Sequence, residues 1–166
     1  CVRALFAPDN APEMEIMKQI LKARHRVDFA IFTFSKSSGI DDALVAMARG
    51  GVTIRGIFDA GQGNRDGAGT PMVADGGGAA FLASRRQGLG KLHHKLMVID
   101  NAVIIAGSFN YTDPANRLND ENILVIGDLE EDNPVAQAGQ AQLAGFALAE
   151  IDRMIAVHGV QVPLSP

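Results

Sequence analysis

The sequence predicts an α/β protein with a central mixed β-sheet that is flanked by helices on both faces. Short apolar runs alternate with amphipathic stretches through residues 2–58, an order typical of a sheet with helices packed on it. The run at 26–35 is apolar at almost every central position, as expected for a strand buried on both faces. A chain of 166 residues is long enough for a proper core, so we expect one domain over residues 1–166.

Local signals predict each element of the first half. Pro12 is favourable at the first position of a helix, and Gly50 with Gly51 is a typical helix end. The first helix has an apolar stripe that we expect to face the core: Met14, Ile16, Met17, Ile20 and Leu21. In chain order the predicted elements are a strand at 2–7, a helix at 12–25, a strand at 26–35, a helix at 38–49 and a strand at 52–58.

A glycine-rich segment, GQGNRDGAG, occupies residues 61–69 after the last of these strands. A nucleotide-binding loop would need G-x-G-x-x-G or a following Gly-Lys-Ser/Thr, and this segment has neither. We therefore expect a flexible connector, in which Arg65 is the one candidate substrate contact.

The second half continues the alternation of helices and strands. The predicted elements are helix 71–78, strand 79–83, strand 92–100, strand 102–106, helix 112–118, strand 121–126 and helix 134–157, followed by a frayed tail at 160–166. The long helix offers an apolar face for a core or a partner, formed by Leu143, Phe146, Leu148, Ile151, Met154 and Ile155.

Composition limits the possible functions and compartments. The chain is 47% apolar and 20% charged with a formal net charge of −4, which argues modestly against a large non-specific nucleic-acid groove. No apolar run approaches the roughly 18 residues of a membrane span, so no transmembrane segment is predicted.

The single cysteine, Cys1, excludes an internal disulfide. Because the chain begins with Cys rather than Met, we expect a trimmed N-terminus, which leaves both the cytoplasm and secretion after signal removal open.

The net charge of the chain is negative, but one segment has a charge that favours an anionic substrate. Residues 84–95 contain four cations and two histidines but no acid. Arg85, Arg86 and Lys91 are therefore candidate substrate contacts, together with Arg65.

The most informative segment is residues 92–110, LHHKLMVIDNAVIIAGSFN, which contains the pattern H-x-K-x4-D-x6-G-S-x-N. Side chains two apart on a strand share a face, so His93 and Lys95 point the same way and His94 points the opposite way. A hairpin of the two strands would bring Ser108 and Asn110 beside them. Lysine, hydroxyl and amide groups suit a phosphate, and histidine can be a nucleophile or proton carrier. A metal site is not expected, because no second histidine or carboxylate stands at a ligand spacing.

This block resembles the HKD signature of the phospholipase D superfamily. The likeness extends to residues 27–35, 40–59 and 119–126, which are similar to segments of the small single-motif nucleases of that superfamily. The continuation GSFNYT and the opening LHHK also resemble its mitochondrial and Zucchini-type members. The resemblance implies the predicted fold and a reaction without a cofactor.

The resemblance also implies roles for six candidate catalytic residues. His93 would attack phosphorus and form a phosphohistidine, and Lys95 would bind the phosphoryl oxygens. Ser108 and Asn110 would complete the phosphate cradle, and Glu121 would orient the histidine. Asp100 matches the motif aspartate, but we interpret it as more structural, because it lies at a turn and on the far face from His93.

The chain carries this motif once, whereas in-line cleavage needs a nucleophile on one side of phosphorus and an acid on the other. In the superfamily two HKD motifs face each other, so the resemblance implies a homodimer or a second HKD domain. Three hypotheses stay open. The chain is a dimeric, metal-independent endonuclease for DNA or RNA, a phospholipase D or phosphatidyltransferase half-domain from a two-motif polypeptide, or a phosphate-binding module without turnover.

Overall fold

Strands and helices alternate along the computed structural model, which describes residues 1–36, 38–85 and 88–165. In chain order the elements are β1 (Val2–Ala7), α1 (Pro12–Leu21), β2 (Arg26–Ile31), α2 (Ile40–Arg49), β3 (Thr53–Asp59), α3 (Ala60–Gly63), α4 (Thr70–Asp75), β4 (Ala79–Ala83), β5 (Lys95–Ile99), β6 (Val103–Gly107), α5 (Asp113–Arg117), β7 (Glu121–Ile126), α6 (Pro134–His158) and β8 (Gly159–Gln161).

The described strands form one mixed sheet in the order β1-β7-β6-β5-β2-β3-β4-β8. Strands β2, β3 and β4 are parallel, and the other neighbouring pairs are antiparallel. We call the edge at the carboxyl ends of β2, β3 and β4 the upper edge, and the opposite one the lower edge. Since Ile31 is in register with Lys95, β5 begins at the upper edge, where ligands of open α/β sheets commonly bind.

Helices cover both faces of the sheet. On one face α1 and α2 bury Ile16, Ile20 and Leu44, with α4 and α5 beside them. On the other face α6 buries Ile151 and Met154. The predicted fold class, a mixed sheet flanked by helices on both faces, is therefore confirmed.

The predicted elements occur with changes at their ends. Strands β1, β4 and β7 have the predicted bounds, whereas α1 ends at Leu21 instead of residue 25 and β2 ends at Ile31 instead of residue 35. In α1, Met14 and Leu21 are more than half exposed, so the predicted apolar stripe is too wide. In α6, Leu143 and Phe146 are likewise more than half exposed.

Two expectations about irregular segments are wrong. The tail contains β8, which pairs with β4, and Val162 N donates to Ala80 O at 2.8 Å. This pairing covers a strand edge that would otherwise be open. The glycine-rich segment contains the short helix α3, and Ala68 forms a β-bridge with Ser35, so it is more ordered than a flexible connector.

Candidate active site

A cleft of about 430 Å³ opens at the upper edge where β5, β6 and β7 meet. It is lined by His93, Lys95, Gly107, Ser108, Asn110 and Glu121. Five of the six candidate catalytic residues therefore line one cavity. The antiparallel pairing of β5 with β6 and of β6 with β7 brings them together.

His93 and Lys95 are in direct contact. The Nζ of Lys95 lies 3.2 Å from Nδ1 and 3.3 Å from Nε2 of His93, and it donates to His93 O at 3.1 Å. Strand β5 begins only at Lys95, so the predicted strand starts three residues too early. The predicted alternation of faces nevertheless holds. His94 points to the α6 side, where its Nε2 lies 3.0 Å from Glu150 Oε1.

The surroundings lower the pKa of both groups. Partial removal from water lowers the pKa of His93, and the nearby ammonium groups of Lys95 and Lys91 lower it further. Burial also lowers the pKa of Lys95, while the carboxylate of Glu121 acts in the opposite direction. A neutral imidazole has a free lone pair, so a lowered pKa keeps His93 available as a nucleophile at neutral pH.

Phe32 belongs to this site, although sequence reasoning missed it. Its ring centroid lies 4.5 Å from that of His93, with the two planes tilted by 46°. The Nζ atoms of Lys95 and Lys91 lie 5.0 and 5.6 Å from the Phe32 centroid, within the range of cation–π contacts. The sequence does not reveal this arrangement, because nothing in it shows that β2 pairs with β5.

Ser108 and Asn110 are held by backbone contacts that leave donors free. Ser108 Oγ accepts a hydrogen bond from Asn122 N at 3.0 Å, so its own proton can be donated elsewhere. Asn110 Oδ1 accepts from Thr33 N at 3.3 Å, which leaves the amide NH₂ to donate. A Cβ at Gly107 would lie 2.1 Å from Asn122 O, so glycine is required for this close approach of β7.

Glu121 lines the cleft but acts on Lys95 more directly than on His93. Its carboxylate accepts a hydrogen bond from Asn119 Nδ2 at 3.2 Å, and it raises the pKa of Lys95. Within the described part of the chain, no hydrogen bond or ion pair joins Glu121 to His93. The expected orientation of the histidine by this glutamate is thus not seen in the isolated chain.

Asp100 lies outside the cleft, at the lower edge. Its carboxylate accepts hydrogen bonds from Arg24 N at 2.7 Å, His25 N at 2.9 Å and Arg26 N at 2.8 Å. The residue itself adopts a left-handed conformation with φ of 51°. Its place among the candidate catalytic residues is therefore corrected, and the geometry agrees with a scaffold role.

Three of the candidate substrate contacts, Arg65, Arg85 and Lys91, are not among the residues that line the cleft. Lys91 is exposed beside Phe32, and Arg85 is exposed after β4 with its guanidinium next to Gly61. Arg65 is exposed after α3 and lines a neighbouring groove that begins at Thr33. Arg86 lies outside the described residues.

Comparisons of the sequence with known families and proteins agree on one group. Residues 16–140 match the family described as cardiolipin synthase, PLD-like domain. A curated relative, the mitochondrial cardiolipin hydrolase of Xenopus laevis, is 33% identical over 117 residues, which cover 68% of this chain and 52% of the relative. The chain spans about half the length of the curated relatives it matches.

Two solved structures match over nearly the whole chain. A phospholipase D family member, Nuc from Salmonella typhimurium, superposes with a TM-score of 0.85 at 22% identity and covers 99% of both chains. NucT from Helicobacter pylori superposes with a TM-score of 0.81 at 18% identity, covering 98% of this chain and 99% of that one. At these identities the two structures show a shared fold.

Proposed function

Because the chain belongs to the family of cardiolipin synthase PLD-like domains, within the phospholipase D superfamily, we propose that it is a phosphodiesterase that cleaves DNA or RNA. The observation that carries this proposal is the convergence of His93, Lys95, Ser108 and Asn110 on one cleft. These side chains combine a nucleophile with one cation and two neutral donors, which suits a phosphodiester. Residues 1–166 act as one domain in this proposal.

The reaction proceeds in two displacements at phosphorus. A ring nitrogen of His93 attacks, the P–N bond forms and the bond to the leaving oxygen breaks, while an acid on the opposite side protonates that oxygen. Water then attacks the phosphohistidine and gives its proton to the group that acted as the acid in the first displacement. The P–N bond breaks, and His93 is regenerated. Lys95 balances the charge on the phosphoryl oxygens, and the hydroxyl of Ser108 and the amide of Asn110 donate to them. No metal takes part in either step.

A second copy of the chain supplies the acid, namely its own His93, in a homodimer with twofold symmetry. An apolar part of one sheet face, across β1 and β7, is exposed in the described structure and supports this part of the proposal. Val2, Phe6 and Leu124 lie on that face with 66%, 57% and 41% of their surfaces exposed. Phe6 is in register with Asn122, whose backbone donates to Ser108, so a copy seated there would border the cleft.

The cations around the upper edge favour nucleic acid over a smaller diester. Arg65, Arg85 and Lys91 are exposed, and across residues 1–36, 38–85 and 88–165 none of them forms an ion pair. A polymer with a phosphate at every nucleotide can contact several of these groups at once.

A phospholipid substrate is the second candidate, with the chain acting as a half-domain of a longer two-motif protein. One observation favours it. Mitochondrial cardiolipin hydrolases are among the curated relatives. Among the described residues no helix is both long and apolar enough to cross a membrane.

One experiment separates these candidates. The purified chain is incubated with single-stranded DNA, with RNA and with vesicles of cardiolipin or phosphatidylcholine, in the presence and absence of EDTA. His93→Asn serves as the blank, and we expect it to lose more than about 1,000-fold in kcat. Cleavage of nucleic acid alone, unaffected by EDTA, is the expected result.

Other outcomes would overturn parts of the proposal. Hydrolysis of lipid alone would establish the second candidate, and loss of activity with EDTA would contradict a metal-independent reaction. Full turnover by His93→Asn would remove the mechanism. Light scattering that shows an active monomer would exclude the shared site.

A further inference from the structure

A second aspartate, Asp59, lies at the upper edge and has no place in the motif. It is the last residue of β3, and only 2% of its surface is exposed. Its Oδ1 accepts hydrogen bonds from Gly61 N at 3.0 Å and Gln62 N at 3.1 Å, which cap α3. Its Oδ2 is directed to the chain segment before β5, where it accepts from Leu92 N at 3.1 Å.

The bond to Leu92 matters because the segment that carries His93 lacks regular structure. Residues 89–94 belong to neither a helix nor a strand, so no strand ladder sets the position of the imidazole. Leu92 is 99% buried in the core below α6, and its N–H can therefore not be satisfied by water. Asp59 supplies the acceptor that this buried donor needs.

A second anchor lies on the other side of His93. His94 O accepts from Phe32 N at 2.9 Å, and the His94 ring contacts Glu150 of α6. His93 is thus the one residue between two fixed points of the backbone, Leu92 and His94. At the first of these points, the backbone N–H donates to a carboxylate from a different strand.

We infer that Asp59 is a positioning residue, which holds the backbone at Leu92 so that the imidazole of His93 faces the cleft. This inference rests on the proposed function for its effect on turnover, but the geometry it describes is independent of the substrate. The same carboxylate caps α3, so the loop after β3 and the segment before β5 are joined at one point.

The charge of Asp59 adds a second, measurable effect on His93. Burial, Lys95, Lys91 and His94 lower the pKa of that imidazole, whereas Asp59 raises it. Asp59 thereby partly offsets the surrounding cations and favours the imidazolium. An imidazolium is the form that an acid needs in the first displacement.

The test compares the wild type with Asp59→Asn, which keeps the shape of the side chain but removes the charge and one acceptor. We expect kcat for a small diester, bis(p-nitrophenyl) phosphate, to fall by roughly ten- to hundred-fold with little change in KM, because the nucleophile is displaced. NMR titration of the His93 ring should show a lower pKa in Asp59→Asn. Lys91→Met is the matched control, because it removes a positive charge instead of a negative one. It should raise the pKa of His93.

The NMR arms decide the inference even if the diester is not hydrolysed. A wild type without phosphodiesterase activity would count against the proposed function only. An unchanged His93 pKa in folded Asp59→Asn would overturn the positioning role, and so would an unchanged kcat where the wild type is active. If Asp59→Asn does not fold, hydrogen exchange in the wild type decides. Slow exchange of the Leu92 amide supports the inference, and exchange as fast as at the exposed Gly88 and Gly90 overturns it.

Discussion

Asp59 and Asp100 use the same chemistry at opposite edges of the sheet. Each carboxylate accepts hydrogen bonds from three backbone N–H groups that no strand or helix satisfies. Asp100 joins the end of β5 to the segment that leads into β2, far from the cleft. Asp59 joins the end of β3 to the segment that carries His93. The same interaction therefore stabilises the fold at the lower edge and the position of a reactive group at the upper edge.

Because of this difference, membership in the motif does not by itself make a residue part of the reaction. Asp100 belongs to the H-x-K-x4-D pattern, yet it lies outside the cleft. Asp59 belongs to no motif, yet its carboxylate binds the backbone of Leu92, the residue before His93. A short motif can combine residues that react with residues that hold the strand in place. Distance to the reacting groups decides between these two roles.

After the His93→Asn blank, the largest effect is expected at the upper edge, from Lys95→Met. Removing the ammonium takes away the charge that binds the phosphoryl oxygens, and we expect kcat to fall by roughly 100- to 1,000-fold. Because Lys95 lowers the pKa of His93, the variant should also show a raised His93 pKa. Steady-state kinetics and NMR titration check the two effects. A Lys95→Met enzyme within threefold of the wild type would contradict the role of this lysine.

A smaller effect of a different kind is expected at the lower edge, from Asp100→Ala. The substitution leaves three backbone donors without their acceptor, which should cost about 1–3 kcal/mol in the free energy of unfolding. Turnover by the folded fraction should be unchanged, because the cleft does not contain Asp100. Urea unfolding gives the first value, and kcat measured well below the melting midpoint gives the second. A selective loss of kcat at full stability would move Asp100 back into the active site.

The smallest effect is expected from Glu121→Gln, which tests the electrostatic balance within the cleft. Glu121 raises the pKa of Lys95 while burial lowers it. Removing the carboxylate should therefore lower the pKa of Lys95 further, so that activity declines at a lower pH on the alkaline side. A pH profile of kcat/KM measures this shift. If the alkaline limb of the profile does not move in Glu121→Gln, the protonation of Lys95 does not control the loss of activity at high pH.

Much of the site could be predicted from the sequence because its relations are short in range. His93 and Lys95 share a side through the alternation of a strand, and Ser108 and Asn110 follow the next strand by the same rule. The bounds of β1, β4 and β7 were also predictable from local apolar patterns. Errors arose where a long-range contact changed a local tendency, as in the tail, which becomes β8 by pairing with β4.

The sequence by itself determined the fold class, the single motif and the chemical character of the cleft, because local periodicity and residue type suffice for these. Only the tertiary structure decided which other groups surround His93. The contacts of Phe32 with His93 and of Asp59 with Leu92 join residues separated by 61 and 33 positions of the chain. Such contacts depend on the pairing of β2 with β5 and of β2 with β3, which no local pattern specifies.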